Sequence, residues 1–274
     1  MRTEEYTRRT FLKTAGMATG GLAVDGFAAE ARLSYQEHSD KSGIPSREEL
    51  RKVIARSDLL YTAPVPRSEE GIPIGNGHMG TLVWTTPSQL RFQINRVDVY
   101  ANNCQSNSFF ESHNDYCGGC AYLEIEFDGS PFPESGFQQH LSIYDGRLTI
   151  EGEGITVQMV PWMAQDVIAI TVNDRRKTRG RISAVLRMLR YETKYFGPQM
   201  ETLAAEHAVM VQHLSQTATS RLLVKGERIG LTQEFREGNF CSKSAVAVAI
   251  AGGAGRAEIL NETDVRILRW QWAA

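Results

Sequence analysis

Several function classes are excluded by what this chain lacks. Among its 274 residues no apolar run approaches the ~18 consecutive residues of a membrane span, so a soluble mature protein is expected. It has no basic excess: 30 Lys and Arg stand against 32 Asp and Glu, a net charge of −2. That balance supplies none of the positive field that holds a nucleic acid. The six histidines show no HExxH spacing, and no serine sits in a G-x-S-x-G elbow, so a serine hydrolase is not expected. Cysteines number only four, with a single CxxC and no second one to complete a zinc ribbon. What remains is ordinary globular material. Apolar residues make up 42% and charged residues 23%, enough to bury a sizeable core and too much for wholesale disorder.

The N-terminus has the composition of a targeting signal. Arg8-Arg9-Thr10-Phe11-Leu12-Lys13 precedes a mildly apolar run from Thr14 to Phe27, and small residues suited to cleavage follow at Ala28, Ala29 and Ala31. Paired arginines before a weakly hydrophobic segment match the twin-arginine export signal, here residues 1–31. The mature chain is therefore expected in the periplasm, the cell envelope or outside the cell. Residues 32–57 are expected to be a polar tether and one short helix over Arg47–Arg56. Ser46-Arg47-Glu48-Glu49 is a capping box, and Leu50, Val53 and Ile54 share one helical face.

From Gly80 onward the apolar period is two. Leu90, Phe92 and Ile94 alternate with polar neighbours, as do Leu123, Ile125 and Phe127, and then Ile155, Val157 and Met159. Val167–Val172, Ile182–Leu189, Ala208–Leu214, Arg221–Val224, Ala245–Ile250 and Val265–Trp270 are further strand candidates, with His207 and His213 placed along a strand. Asp145-Gly146 predicts a short hairpin, and Glu153-Gly154 and Asn173-Asp174 predict reversals. Parallel strands would need long crossovers, and the spacing leaves no room for them. The expected fold is all-β, a large antiparallel β-sandwich over residues 58–274.

The stretch Gly71-Ile72-Pro73-Ile74-Gly75-Asn76-Gly77-His78-Met79-Gly80 is the most informative. Gly75, Gly77 and Gly80 describe a backbone that turns tightly and admits close approach. It is not a phosphate loop, because it lacks the Lys-Ser/Thr pair and no βαβ pattern surrounds it. A purely structural turn before a strand is the simplest reading of the composition.

Pro73-Ile74-Gly75-Asn76-Gly77-His78-Met79-Gly80, followed by an apolar strand and Ile94-Asn95-Arg96-Val97-Asp98-Val99-Tyr100, resembles the start of glycoside hydrolase family 95, the α-L-fucosidases, or a divergent relative of it. Tyr61 and Pro64 fit an aromatic and a proline upstream of that element, whereas Arg96 and Tyr100 replace an acidic residue and a tryptophan. The resemblance implies an N-terminal β-supersandwich, followed in a full-length protein by a catalytic (α/α)6 barrel. It implies a glycan as the partner and places Asn76, His78, Asn95 and Asp98 near the substrate. The catalytic carboxylates are expected in the barrel, so no catalytic residue, metal or cofactor is assigned to this chain.

Cys117-Gly118-Gly119-Cys120 leaves three readings open: packing or a structural disulfide, a metal site with Cys104 and His113, or redox chemistry. Two functions compete overall. One is the N-terminal part of an exported glycoside hydrolase, and the other is a non-catalytic carbohydrate-binding or structural sandwich.

Overall fold

The computed structural model describes residues 45–100, 117–177, 180–189, 201–213, 216–252 and 255–270. The arginine pair Arg8-Arg9, together with Cys104 and His113, lies outside the described residues, as do the side chains of Cys117, Tyr100, His213 and Trp270.

Among the described residues, a short helix α1 (Arg47–Ile54), extended by a 3-10 turn at Ala55–Ser57, precedes seventeen strands. Three antiparallel sheets result, and the all-β expectation holds. The largest sheet has seven strands, ordered β16 (Gly255–Ile259), β17 (Asp264–Trp270), β10 (Arg181–Arg187), β5 (Cys117–Phe127), β4 (Gln89–Tyr100), β3 (Met79–Thr86) and β2 (Ile72–Gly75). A five-stranded sheet is formed by β1 (Leu59–Tyr61), β6 (Gln138–Ser142), β7 (Arg147–Gly152), β8 (Ile155–Pro161) and β9 (Ile168–Asp174). The other runs from β11 (Glu201–Ala205) through β12 (Ala208–His213), β13 (Gln216–Lys225) and β14 (Arg228–Glu237) to β15 (Phe240–Ala249).

Alternation gives the large sheet two different faces. One carries Leu90, Phe92, Leu123, Ile125, Leu186, Val265 and Ile267, all buried. These join a single core with Leu148, Ile150, Val157 and Met159 of one five-stranded sheet and Val209, Val211, Leu222, Ile229 and Leu231 of the other. The opposite face carries Arg91, Glu124, Arg187 and Asp264, linked in ion pairs, and Arg266, which pairs with Glu258. Register fixes this partition, since Arg91 stands opposite Glu124 and Arg187 opposite Asp264.

The chain crosses from β5 to β6 through a buried aromatic cluster. Phe132 packs edge-on against Phe127 at 5.4 Å and against Phe137 at 6.1 Å between ring centroids. Buried Gln139 of β6 donates Nε2 to the Val83 carbonyl at 3.0 Å, which couples β6 to β3 through a satisfied polar contact.

Three local expectations need correction. Asn173-Asp174 does not reverse the chain but ends β9, pairing with Thr156 and Ile155. Asp174 stays in the strand because Arg176 satisfies its buried carboxylate through Nε at 2.9 Å and Nη2 at 2.8 Å. His207 lies in the turn between β11 and β12 with φ +57°, not along a strand. The α-helix stops at Ile54, with Ala55–Ser57 wound as a 3-10 turn. On the helical face that Leu50, Val53 and Ile54 share, Leu50 and Val53 are exposed. The helix is held by its arginines instead, with Arg47 Nε donating to Tyr144 Oη at 2.9 Å and Arg51 Nη2 to Asp145 at 2.6 Å. Both guanidinium groups stack over the Tyr144 ring.

Candidate functional site

One edge of the molecule gathers three segments distant in sequence: the β2–β3 turn, the end of β4 and the β8–β9 loop. The turn is closed by Asn76, whose backbone N–H donates to the Met79 carbonyl at 3.0 Å. Its side-chain Oδ1 accepts the N–H groups of His78 at 3.0 Å and Met79 at 2.8 Å. This is an Asx-type cap of the turn. The same amide reaches outward, with Nδ2 donating to the carbonyls of Trp162 at 2.8 Å and Gln165 at 3.1 Å. Both ends of the Asn76 amide are thus committed within the protein, which leaves no amide hydrogen for a ligand.

Two of the three glycines of the turn are needed, for different reasons. A Cβ at Gly75 would lie 2.8 Å from the Met79 carbonyl, so space decides there. Gly77 has open space but φ +91°, where an L side chain is strained. Gly80 meets only an ordinary contact at 3.4 Å, so neither reason applies to it.

Beyond Asn95 the β4–β5 ladder is irregular: Asn95 pairs with Gly119 and the next match is Tyr100 with Cys117. Such a bulge re-aims side chains at a sheet edge. It presents Arg96 and Asp98 side by side, with Arg96 donating Nε at 2.7 Å and Nη2 at 2.9 Å to the two Asp98 oxygens. Arg96 Nη1 reaches the other way to Asp166 at 2.5 Å, in the β8–β9 loop. The hydrogen bonds from Arg96 hold the Asp98 carboxyl below the usual carboxylate range, and Asp98 raises Arg96 in turn. His78 is exposed beside Asp98 and contributes to lowering it.

Of the residues expected near a substrate, His78 and Asp98 share this exposed rim, and Asn76 braces it. Asn95 stands one residue inward, its Oδ1 accepting from Gln93 Nε2 at 2.9 Å. Sequence reasoning missed Trp162, Met163 and Asp166, which complete the edge. Trp162 is 52% exposed and Met163 81% exposed, at the tip of the β8–β9 hairpin.

The CxxC resolves differently. Cys120 is free and buried, and burial pushes its thiol up, which disfavours the reactive thiolate. Cys117 and Cys120 lie on the same strand, where three residues of extended chain span roughly 10 Å, beyond disulfide reach. Of the three readings, packing fits Cys120. Among the described residues no cluster of three or more His, Cys, Asp or Glu could hold a metal ion, and no helix is long and apolar enough to cross a membrane.

Asn76→Asp separates the two roles of that side chain. The carboxylate keeps both acceptor bonds of the turn but loses the donors to Trp162 and Gln165 and faces their carbonyls instead. The expected loss is about 1–2 kcal/mol of stability, with faster amide exchange confined to 162–167 in hydrogen-exchange mass spectrometry. Exchange unchanged in that loop would mean the tether does not hold it.

The fold is an antiparallel β-sandwich with a braced loop rim, and its class follows from the strand pattern alone. Within that class, residues 60–232, well over half the chain, match the family described as "Domain of unknown function (DUF5703)". The chain belongs to that family. A search of curated proteins finds none that matches it.

Proposed function

We propose that this chain is the N-terminal β-sandwich portion of an exported glycoside hydrolase acting on a glycan, α-L-fucosidase-like by the resemblance of its Pro73–Gly80 and Ile94–Tyr100 elements. The observation that supports it is the rim itself: His78, Asp98 and Trp162 are exposed together on a braced edge. Hydrolysis of a glycosidic bond needs a proton-donating carboxyl and a second carboxylate at a fixed separation. Asp98 is a poor acid because Arg96 holds it ionised, and Asp166 is bound to the same guanidinium. The rim is suited to contact sugar, with the acid and base supplied by a downstream (α/α)6 domain.

The test compares two proteins, the mature chain alone and the chain with its natural downstream continuation, on fucosylated oligosaccharides with release of free sugar as the readout. Release is expected only from the longer protein. Hydrolysis by the chain alone would place the catalytic pair within it, and inactivity of both across such a panel would defeat the hydrolase reading. Export should stop when Arg8→Lys is combined with Arg9→Lys, and undiminished secretion would remove the twin-arginine route.

A second reading, a non-catalytic carbohydrate-binding module, is favoured by the same paired carboxylates, which suit holding hydroxyls better than transferring protons. Glycan binding without hydrolysis by the longer protein would select it.

A further inference from the structure

The β8–β9 loop is an unusual place for apolar area. Trp162 at 52% exposure and Met163 at 81% are joined on this edge by Val167 at 44% and by Val97 of the β4 bulge at 62%. Single exposed apolar residues need no explanation, but several on one edge mark an interaction surface.

This loop is also built to keep its shape. Trp162 N–H donates to the Val167 carbonyl and Val167 N–H to the Gln165 carbonyl, both at 2.8 Å. Asn76 ties down two of its carbonyls, and Arg96 holds Asp166. A tryptophan whose backbone N–H and carbonyl are both held, in a loop tied down from two other segments, sits on a preorganised backbone, which removes part of the ordering cost of binding.

The charges around it select the ligand. Arg96 spends Nε and Nη2 on Asp98 and Nη1 on Asp166, so it offers little to an anion. Two carboxylates stand against one guanidinium, with the His78 imidazole beside Asp98, so the edge offers no net positive charge to attract phosphates, sulfates or acidic chains. Asp98, with its side chain 60% exposed, keeps acceptor lone pairs open to solvent and no donors. The complementary ligand is uncharged, rich in hydroxyl donors and apolar on one face. A pyranose ring has these properties.

We propose that Trp162, on the edge that also carries Asp98 and Asp166, forms a stacking subsite for a neutral sugar ring. Hydroxyls of the sugar donate to the outward carboxylate oxygens while its C–H face covers the indole. The proposal rests on the glycan reading above and names the chemical class that this edge takes.

The test titrates the mature chain by calorimetry with 2′-fucosyllactose, cellohexaose and xylohexaose, and separately with an oligogalacturonide and with calcium chloride alone. At least one neutral oligosaccharide should bind. Trp162→Ala should weaken that binding by roughly tenfold or more, as expected for loss of a stacked aromatic face. Trp162→Phe should retain most of it, and Asp98→Asn should weaken it severalfold. Because Trp162 is half exposed, the melting temperature of Trp162→Ala should stay close to that of the parent. Neutral binding untouched by Trp162→Ala would overturn the subsite, as would binding of only the oligogalacturonide or calcium, or no binding at all. Self-association abolished by Trp162→Ala, with no sugar bound, would overturn it in favour of a protein interface. Failure of the hydrolase reading is distinguishable: sugar bound through Trp162 without turnover by the longer protein defeats hydrolysis and leaves the subsite standing.

Discussion

Phe132→Ala should destabilise the sandwich by about 3 to 5 kcal/mol, the range for deleting a fully buried aromatic side chain. Phe132 has no solvent exposure and fills the corner where the chain leaves the seven-stranded sheet for the five-stranded one. The upper part of the range is expected because the segment cannot collapse into the space. Phe132 N–H donates to the Pro87 carbonyl at 3.0 Å, and Glu153 N–H donates to the Pro131 carbonyl at 2.7 Å. The facing backbone is already in contact, since a Cβ on Gly152 would lie 2.0 Å from the Pro131 oxygen. Losing the two edge-on ring contacts adds to the cavity term. Urea unfolding gives the value directly, and a loss under about 1 kcal/mol would mean that this corner repacks freely.

The β architecture was legible because burial on one face leaves period-two traces. Leu123-Ile125-Phe127 and Ile155-Val157-Met159 lie on strands with those residues inward. Glu153-Gly154 makes the β7–β8 turn, with Gly154 at φ +69° and Gly152 paired to Ile155. Asp145-Gly146 belongs to the β6–β7 connection, which is longer than a two-residue turn because Ser142 pairs with Arg147. Strand β14 escaped because Gly230 and the buried Gln233 interrupt its apolar pattern, although Ile229, Leu231 and Phe235 face inward. Helix α1 was legible from its capping box and one-face pattern, whereas its tertiary contacts were not: Tyr144 and Asp145, about a hundred residues away in sequence, recruit its arginines.

The rim was legible only in half. A glycine-rich turn with Asn76 and His78 announces itself in sequence, because tight turns demand particular residues. Its partner does not. The Asn76–Trp162 contact spans 86 residues and Arg96–Asp166 spans 70, so nothing local marks Trp162 or Asp166. Only register brings these segments to one edge. A Trp-Met pair just beyond a strand end, at Pro161, was the available signal.

Glu124→Ala should cost about 2 to 3 kcal/mol, and the size follows from competing effects on the polar face of the large sheet. Glu124 is only 6% exposed in its side chain, with Arg91 Nε at 3.2 Å and Arg187 Nη2 at 3.5 Å. The Arg91 contact is close without good hydrogen-bond alignment, so it acts mainly through charge. Removing one partner of a fully buried pair costs about 3–5 kcal/mol, because the other charge is left unpaired in low dielectric. Here the arginines are 31% and 34% exposed, so water reaches them, and Arg187 keeps Asp264 at 2.7 Å. That rescue lowers the expected loss but does not abolish it, since Glu124 occupies the protected centre of the row. Arg91→Ala should lose less, because Arg187 still neutralises the carboxylate. Nearby Tyr122, its hydroxyl pushed up to about 12 by burial, shows that desolvation on this face extends beyond Glu124. Salt supplies the discriminating control. The Glu234 pairs with Arg236 and Lys243 are solvated and should be screened. If the Glu124 effect is a protected one, its magnitude should be nearly the same at about 0.1 M and 1 M salt. An effect that vanishes at high salt would make this row an ordinary solvated surface.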